Sequence, residues 1–98
     1  MEYEVTAVEK PYGALGHDSI TAIGNAADGW SVSTASAILR IVKKRDEFYV
    51  TDPATGSRLY IAAVRDKFGR TSLRAMTEGR ATNHLLALKP LRDSELID

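Results

Sequence analysis

The stretch FYVTDPATGSRLYIAAVRD, residues 48–66, carries the strongest structural signal in this sequence. Apolar and polar residues alternate on both sides of Asp52–Ser57, and this period of two is typical of strands with one buried face. Pro53 presets φ for the first corner of a turn, Asp52 can accept backbone amides, and Gly56 can adopt a left-handed conformation. The stretch therefore predicts a β-hairpin whose corner lies at Asp52–Ser57.

A phosphate-binding loop is the other interpretation of this corner, because Thr55-Gly56-Ser57 offers a glycine and two hydroxyls. The P-loop pattern requires two glycines, a lysine and a following helix that directs amide groups at the anion. Here the chain has one glycine at the corner, and the alternation after it predicts a strand. We therefore expect the corner to set the register of the hairpin rather than to bind a ligand.

Further strand patterns flank this hairpin on both sides. The run TSLRAMT, from Thr71, follows a turn that contains Gly69, and it extends the hairpin into an antiparallel meander of three strands. Near the N-terminus, alternation over residues 2–7 predicts a first strand, and the run SITAIG over residues 19–24 predicts a short second strand. A hairpin is the simplest connection between these two.

Between the two strand groups, residues 33–45 show the three- and four-residue spacing of an amphipathic helix. Ser33 is the predicted N-cap, and the helix is expected to run from Thr34 to about Arg45. Trp30 is the only tryptophan, and we expect it to anchor the entrance to the helix. The residues predicted to share the core-facing side of the helix are Ala35, Ile38, Ile41 and Val42.

These patterns together predict an α+β fold. We expect a mainly antiparallel sheet of about five strands, made of the two N-terminal strands and the three-strand meander, with the single helix packed on one face. Residues 1–90 are predicted to form one small domain. Residues 91–98 form a polar tail, and the sequence leaves open whether this tail is ordered.

The composition excludes several classes of site. The 98 residues include no cysteine, so disulfides, thiol nucleophiles and thiolate metal sites are ruled out. No apolar run approaches the ~20 residues that cross a bilayer, and the acidic start lacks the pattern of a signal peptide. We therefore expect a cytoplasmic protein that does not engage a membrane.

Candidate catalytic and metal-binding residues are few. The triplet His17-Asp18-Ser19 contains the residue types of a hydrolase triad, but neighbours in an extended segment point to opposite faces, whereas a triad converges from separate elements. His17 and His84 are the only imidazoles, and a structural zinc site needs four ligands. We therefore predict that the protein is not an enzyme and uses no metal or other cofactor.

The candidate binding residues lie on the meander. If its apolar residues face the helix, alternation sends Tyr49, Arg58, Tyr60 and Arg74 to the opposite face. Tyrosines interleaved with arginines can stack on bases and neutralise phosphates, as they do in proteins that bind single strands. The same arginines can instead pair across strands with acidic residues, for which Glu2, Glu4 and Glu47 are the candidates.

The charge balance favours cross-strand pairing over nucleic-acid binding. Residues 31–80 carry a net charge of +5, but residues 1–30 carry −4 and the whole chain is neutral, without the basic footprint of a nucleic-acid binder. The leading prediction is a small accessory or protein-interaction module, and weak nucleic-acid binding through the Tyr/Arg face is the alternative. Whether the apolar segment Leu85–Leu88 covers that face stays open.

Six short motifs occur along the chain in a recognisable order. They are YEVTAVEK, ITAIG, GW before a serine-rich helix start, FYVTDPATGSRLYIAAV, TSLRAM and NHLLALKP. In this order they resemble a family of small bacterial proteins defined as a domain of unknown function. The chain departs from the pattern at its end, where His84 stands between Asn83 and Leu85. Lys89 before Pro90 is a second departure. The resemblance implies a compact α+β domain of the bacterial cytoplasm, and it implies no activity, cofactor or site residue.

Overall fold

The part of the chain that the structure describes folds as two β-sheets and one α-helix around a shared core. The structure, a computed structural model, describes residues 1–10, 16 and 19–91. Its strands are β1 (Glu2–Glu4), β2 (Ala7–Glu9), β3 (Ala22–Asn25), β4 (Trp30–Ser33), β5 (Glu47–Thr51), β6 (Arg58–Arg65), β7 (Thr71–Thr77), β8 (Arg80–Ala81) and β9 (Lys89–Pro90). The helix α1 spans Thr34–Val42, and a 3₁₀ helix spans His84–Ala87.

The strands form a five-stranded sheet in the order β1-β5-β6-β7-β8 and a four-stranded sheet in the order β4-β3-β2-β9. In the first sheet, β5 to β8 are antiparallel neighbours and β1 lies parallel to β5. In the second, β2, β3 and β4 are antiparallel and the two-residue β9 lies parallel to β2. The α+β class, the single helix and the predominance of antiparallel pairing are confirmed, but the prediction of one five-stranded sheet is wrong.

The predicted first strand is divided between the two sheets. The N–H of Val5 donates to the carbonyl of Tyr49 at 2.7 Å, in the five-stranded sheet, whereas the N–H of Thr6 donates to the carbonyl of Gly24 at 3.0 Å, in the four-stranded sheet. The side-chain amide of Asn25 donates to the carbonyl of Glu4 at 3.1 Å, so the crossing leaves that group satisfied. The core-facing side of the segment changes at this crossing, because Val5 and Val8, which are three residues apart, both belong to the core cluster.

The four-stranded sheet also contains a strand that the sequence analysis missed. The sequence analysis placed Trp30 only at the helix entrance, but Asn25 and Trp30 are paired residues of a β3–β4 hairpin. Gly29, with φ of 73°, occupies the left-handed position in its turn. β4, with the sequence Trp-Ser-Val-Ser, does alternate apolar and polar residues, but it is only four residues long and its last residue is the N-cap of the helix.

The helix begins as predicted and ends three residues early. The hydroxyl of Ser33 accepts the N–H of Ser36 at 3.2 Å, so Ser33 is the N-cap. At the other end Lys44 adopts φ of 57°, its N–H donates to the carbonyl of Ile41, and the N–H of Arg45 donates to that of Arg40. These two bonds form a Schellman motif, which ends the helix at Val42 although no glycine marks the position.

The core-facing side of the helix is rotated from the predicted one. Ala37 is fully buried, and Ile38 and Ile41 pack against the core, whereas Ala35 is exposed and Val42 is 65% exposed. Each residue turns the helix by about 100°, so one misplaced position moves the buried side considerably. The helix contacts strands of both sheets, and this packing, which spacing alone does not reveal, selects the buried side.

Three aromatic rings join the two sheets within the core. The ring of Tyr3 on β1 lies 5.5 Å from that of Trp30 on β4 and 5.7 Å from that of Phe48 on β5, and the rings of Trp30 and Phe48 are 5.8 Å apart. Trp30 therefore holds the strand that leads into the helix, as predicted. Besides Phe48, the largest fully buried side chains of the core are Val5, Val8, Ile23, Val50, Leu73 and Leu85.

The corner at Asp52–Ser57 is a hairpin turn, as predicted. The N–H of Asp52 donates to the carbonyl of Ser57 at 2.8 Å, and the carboxylate of Asp52 accepts the N–H of Ala54 at 2.9 Å. Gly56 has φ of 76°, the left-handed conformation that the turn requires. The turn places β6 opposite β5 in a single register.

The C-terminal segment returns to the core. The side chain of Leu85, in the 3₁₀ helix, is fully buried, and Leu86 and Leu88 pack against the core beside it. Leu91, the first residue of the predicted polar tail, is 5% exposed, and its N–H donates to the carbonyl of Val8 at 2.8 Å. The rest of that tail, residues 92–98, lies outside the described residues.

Candidate functional site

The four candidate binding residues share one face of the five-stranded sheet. Tyr49 is paired with Tyr60 across β5 and β6, and Arg74 is paired with Ala62 across β6 and β7. Arg58 lies two residues before Tyr60, so its side chain points the same way. We call this face, opposite to α1, the outer face. The residues that alternate with it are buried against the helix side, namely Phe48, Val50, Leu59, Ile61, Leu73 and Ala75.

The apolar segment Leu85–Leu88 does not cover the outer face. Leu85 is buried in the core cluster, and Leu86 and Leu88 pack against that cluster. On the outer face, Tyr60 is 41% exposed and the side chain of Arg58 is 54% exposed. The question that the sequence left open is thus answered by the 3₁₀ helix, which carries its leucines to the inner side of the sheet.

The carboxylate of Glu2 binds two side chains on the outer face. The Oε1 atom of Glu2 accepts a hydrogen bond from the guanidinium of Arg58 at 2.8 Å and another from the hydroxyl of Tyr60 at 2.8 Å. The guanidinium also lies over the ring of Tyr49, 4.4 Å from its centroid, and the rings of Tyr49 and Tyr60 are 6.0 Å apart. We call these four residues the Glu2 cluster. Parallel pairing of β1 with β5 brings Glu2 to this position.

The second acidic residue of β1 also has a partner on the outer face. The Oε2 atom of Glu4 accepts a hydrogen bond from the hydroxyl of Thr51 at 2.8 Å. Two of the three acidic candidates therefore contact other strands of the sheet, with Glu2 contacting β6 and Glu4 contacting β5. Cross-strand pairing of this kind neutralises Arg58 within the protein itself.

Hydrogen bonding within the Glu2 cluster shifts the pKa values of two of its members. The pKa of Tyr60 lies above its ordinary value of 10.0, because the phenol donates to the carboxylate of Glu2 and the bond favours the protonated form. The pKa of Arg58 is also raised, first through its hydrogen-bonding interaction with Tyr60 and then through the charges of Tyr49 and Glu2. Since the cluster is exposed, salt screens these interactions.

Replacing Glu2 by glutamine is expected to lower the pH at which Tyr60 ionises. A raised pKa means that the stabilisation from this bond is complete below pH 10 and is lost as the pH rises through the pKa of the folded protein. Tyrosinate absorbance against pH, with the Tyr60→Phe variant subtracted, isolates the titration of this residue. Glu4→Gln is the matched control, because Glu4 contacts Thr51 and not Tyr60. Identical Tyr60 titrations with and without Glu2 would contradict the assignment.

Arg74 stands apart from the Glu2 cluster. No hydrogen bond or ion pair to its side chain occurs among the residues that the structure describes, and its Nε atom is buried from solvent without an acceptor. Buried donors are nearly always paired in proteins. Of the two outer-face arginines, Arg58 is therefore satisfied internally and Arg74 is not.

The other candidate groups of the sequence analysis form no catalytic arrangement in the described chain. The Nε2 atom of His84 lies 3.7 Å from the Oδ1 atom of Asp52, which links the 3₁₀ helix to the hairpin corner. His17 and Asp18 lie outside the described residues. Within residues 1–10, 16 and 19–91, no three His, Cys, Asp or Glu side chains are grouped so that they can hold a metal ion. No helix in this part is long and apolar enough to cross a membrane.

A groove of about 590 Å³ lies beside the Glu2 cluster, where the end of α1 meets the start of β5. Both acidic and basic side chains line it, and the lining residues include no serine, threonine or histidine that could act as a nucleophile or base. The residues that line it are Met1, Glu2, Lys44, Arg45, Asp46, Glu47, Tyr49 and Arg58.

Comparison with protein-family models, with curated proteins and with solved structures found no match to this chain. The resemblance to a family of small bacterial proteins therefore stays a prediction.

Proposed function

We propose that this protein is a non-enzymatic accessory module that binds a protein partner through the outer face of its five-stranded sheet. Tyrosine, arginine and methionine are enriched where proteins contact one another. The outer face carries two tyrosines and two arginines, and Met76, paired with Ala81, adds a methionine. This concentration of contact-forming side chains on one partly exposed surface is the observation that supports the proposal.

The Glu2 cluster also suits a binding surface because it holds large side chains in place. Arg58 is fixed between the carboxylate of Glu2 and the ring of Tyr49, and Tyr60 is fixed by its hydroxyl. A side chain that is ordered before binding loses less conformational entropy when a partner arrives. The cluster thus presents a preorganised surface rather than a mobile one.

A protein partner is favoured over nucleic acid because the charges of the outer face are mixed. Glu2 neutralises Arg58, and Glu4 places a second carboxylate on the same side of β1. A polyanion would meet these carboxylates as well as the arginines, and a chain of zero net charge gives it little attraction at long range. Titration of a labelled single strand at low salt tests this choice. Salt-dependent affinity that disappears when Arg58 and Arg74 are both removed would favour the nucleic-acid alternative.

Site-specific photo-crosslinking in the cells that express the protein tests the proposed surface. A photoreactive phenylalanine analogue at position 60 is expected to give a discrete crosslinked product with another protein, because Tyr60 lies on the outer face. The same analogue at position 68 is the control, since Phe68 is 76% exposed but lies in the β6–β7 turn. An interface on the outer face would be contradicted if the analogue at position 60 gave no crosslinked product. It would also be contradicted if positions 60 and 68 gave the same yield of crosslinked product.

A further inference from the structure

We propose that the outer face recognises an acidic segment of its protein partner and that Arg74 receives a carboxylate of that segment. This inference rests on the proposed function, because it names the chemistry of the partner that the outer face would bind. It assigns different roles to the two arginines of the face. Arg58 orders the Glu2 cluster, and Arg74 provides the charge that the partner must match.

The contrast in charge pairing carries this assignment. Arg58 is neutralised by Glu2 at 2.8 Å, whereas the described residues give Arg74 neither a carboxylate nor any hydrogen-bond acceptor. A guanidinium presents a planar set of donors that matches a carboxylate in two parallel hydrogen bonds. Because its Nε atom is buried, a partner carboxylate would pair with the two terminal nitrogens of Arg74, to which the described residues also give no acceptor.

The surroundings of Arg74 favour a segment that is apolar as well as acidic. Ala62 lies directly opposite it on β6, Val64 follows on the same face, and Met76 lies two residues along β7. All three are partly exposed. When a partner covers this apolar surface, water is removed from around the guanidinium of Arg74. A charge pair is stronger where water is excluded. A segment that alternates acidic and apolar side chains fits both features.

A peptide carboxylate fits this surface better than a phosphate backbone. An extended nucleic acid carries one negative charge per nucleotide and would also approach Glu2 and Glu4 on the same face. A short peptide needs to place only one carboxylate at Arg74. The mixed charges of the face therefore select for a ligand whose negative charges are sparse.

Titration with two synthetic peptides, followed by NMR of the isotope-labelled full chain, tests the inference. The first probe is the capped hexapeptide Leu-Glu-Leu-Glu-Leu-Glu, and the second has glutamine in place of each glutamate. We expect the acidic peptide to shift the side-chain Nε–H signal of Arg74 and the amide signals of Ala62 and Met76. The glutamine peptide is expected to bind at least tenfold more weakly, because it offers no charge.

Two variants with the same change in charge show which arginine is responsible. Arg74→Gln is expected to remove the preference for the acidic peptide. Arg65→Gln is the matched control, because Arg65 belongs to the same pair of strands but alternates onto the opposite face. If both variants weaken binding of the acidic peptide equally, the role of Arg74 is wrong and the effect is one of overall charge. Their amide spectra establish that both variants remain folded.

The outcomes separate this inference from the proposed function. If both peptides shift the outer-face signals equally, the face is a docking surface but the carboxylate preference is wrong. If neither peptide shifts any outer-face signal at millimolar concentration and low salt, the inference fails, and the crosslinking result at position 60 alone decides the proposed function. A dodecamer of oligothymidylate provides the comparison with nucleic acid. If it shifts the outer-face signals more strongly than the acidic peptide does, the preference for an acidic peptide is wrong and nucleic acid is the better ligand.

Discussion

Replacing Phe48 by alanine is expected to lower the free energy of unfolding by about 3–5 kcal/mol. Phe48 is 1% exposed, and its ring contacts both Tyr3 and Trp30. The smaller side chain would leave a cavity where the two sheets meet and would remove two aromatic contacts at once. A domain of this size is stable by roughly 5–15 kcal/mol, so the variant would approach the limit of folding.

Urea denaturation followed by the fluorescence of Trp30 measures this effect, because the only tryptophan lies 5.8 Å from the ring that is removed. Phe68→Ala is the matched control, since Phe68 is 76% exposed. That variant is expected to change the free energy of unfolding by less than about 0.5 kcal/mol. Similar losses in both variants would contradict the central place of the aromatic group.

Replacing Gly24 by alanine is expected to lower the free energy of unfolding by about 1–3 kcal/mol. A Cβ atom at this position would lie 2.6 Å from the carbonyl oxygen of Trp30 and 3.0 Å from the Cβ of Ser31. Both belong to β4, the partner strand, so the backbones of β3 and β4 would have to separate. The same movement would disturb Trp30 and, through it, the contact between the sheets.

Gly56 provides the comparison that identifies the cause. A Cβ at Gly56 would meet nothing within 4 Å, but its φ of 76° strains any residue that has a side chain. Asparagine tolerates the left-handed conformation, so Gly56→Asn is expected to cost less than Gly56→Ala. At Gly24 the obstacle is space, so Gly24→Asn is expected to cost more than Gly24→Ala. Thermal unfolding of the four variants measures both orders, and the reverse order at Gly24 would rule out a steric cause.

The candidate site followed from local signals more directly than the fold did. The turn residues at Asp52–Ser57 set the register of β5 and β6, and alternation then placed Tyr49, Arg58 and Tyr60 on one face. The acidic partner was predictable only as one of three, because Glu2 is 56 residues from Arg58 in sequence. The unsatisfied Nε atom of Arg74 gives no signal in the sequence.

The sequence by itself determined the elements whose causes are local. The hairpin corner, the N-cap at Ser33 and the alternation of the meander each depend on residues within a few positions, and each is confirmed. To predict them, it was enough to know the φ preferences of proline and glycine, the capping role of a hydroxyl and the two-residue period of a strand.

Tertiary structure alone decided how these elements were assembled. The first strand crosses between two sheets at Val5 and Thr6, and the helix turns its Ala37 side toward the core that both sheets share. The crossing of the strand and the orientation of the helix both depend on backbone groups and apolar surfaces that are distant in sequence. No local sequence pattern therefore distinguishes the observed arrangement from the predicted one. The position of Glu2 beside Arg58 has the same origin, because the parallel pairing of β1 with β5 became available only once the chain had folded back on itself.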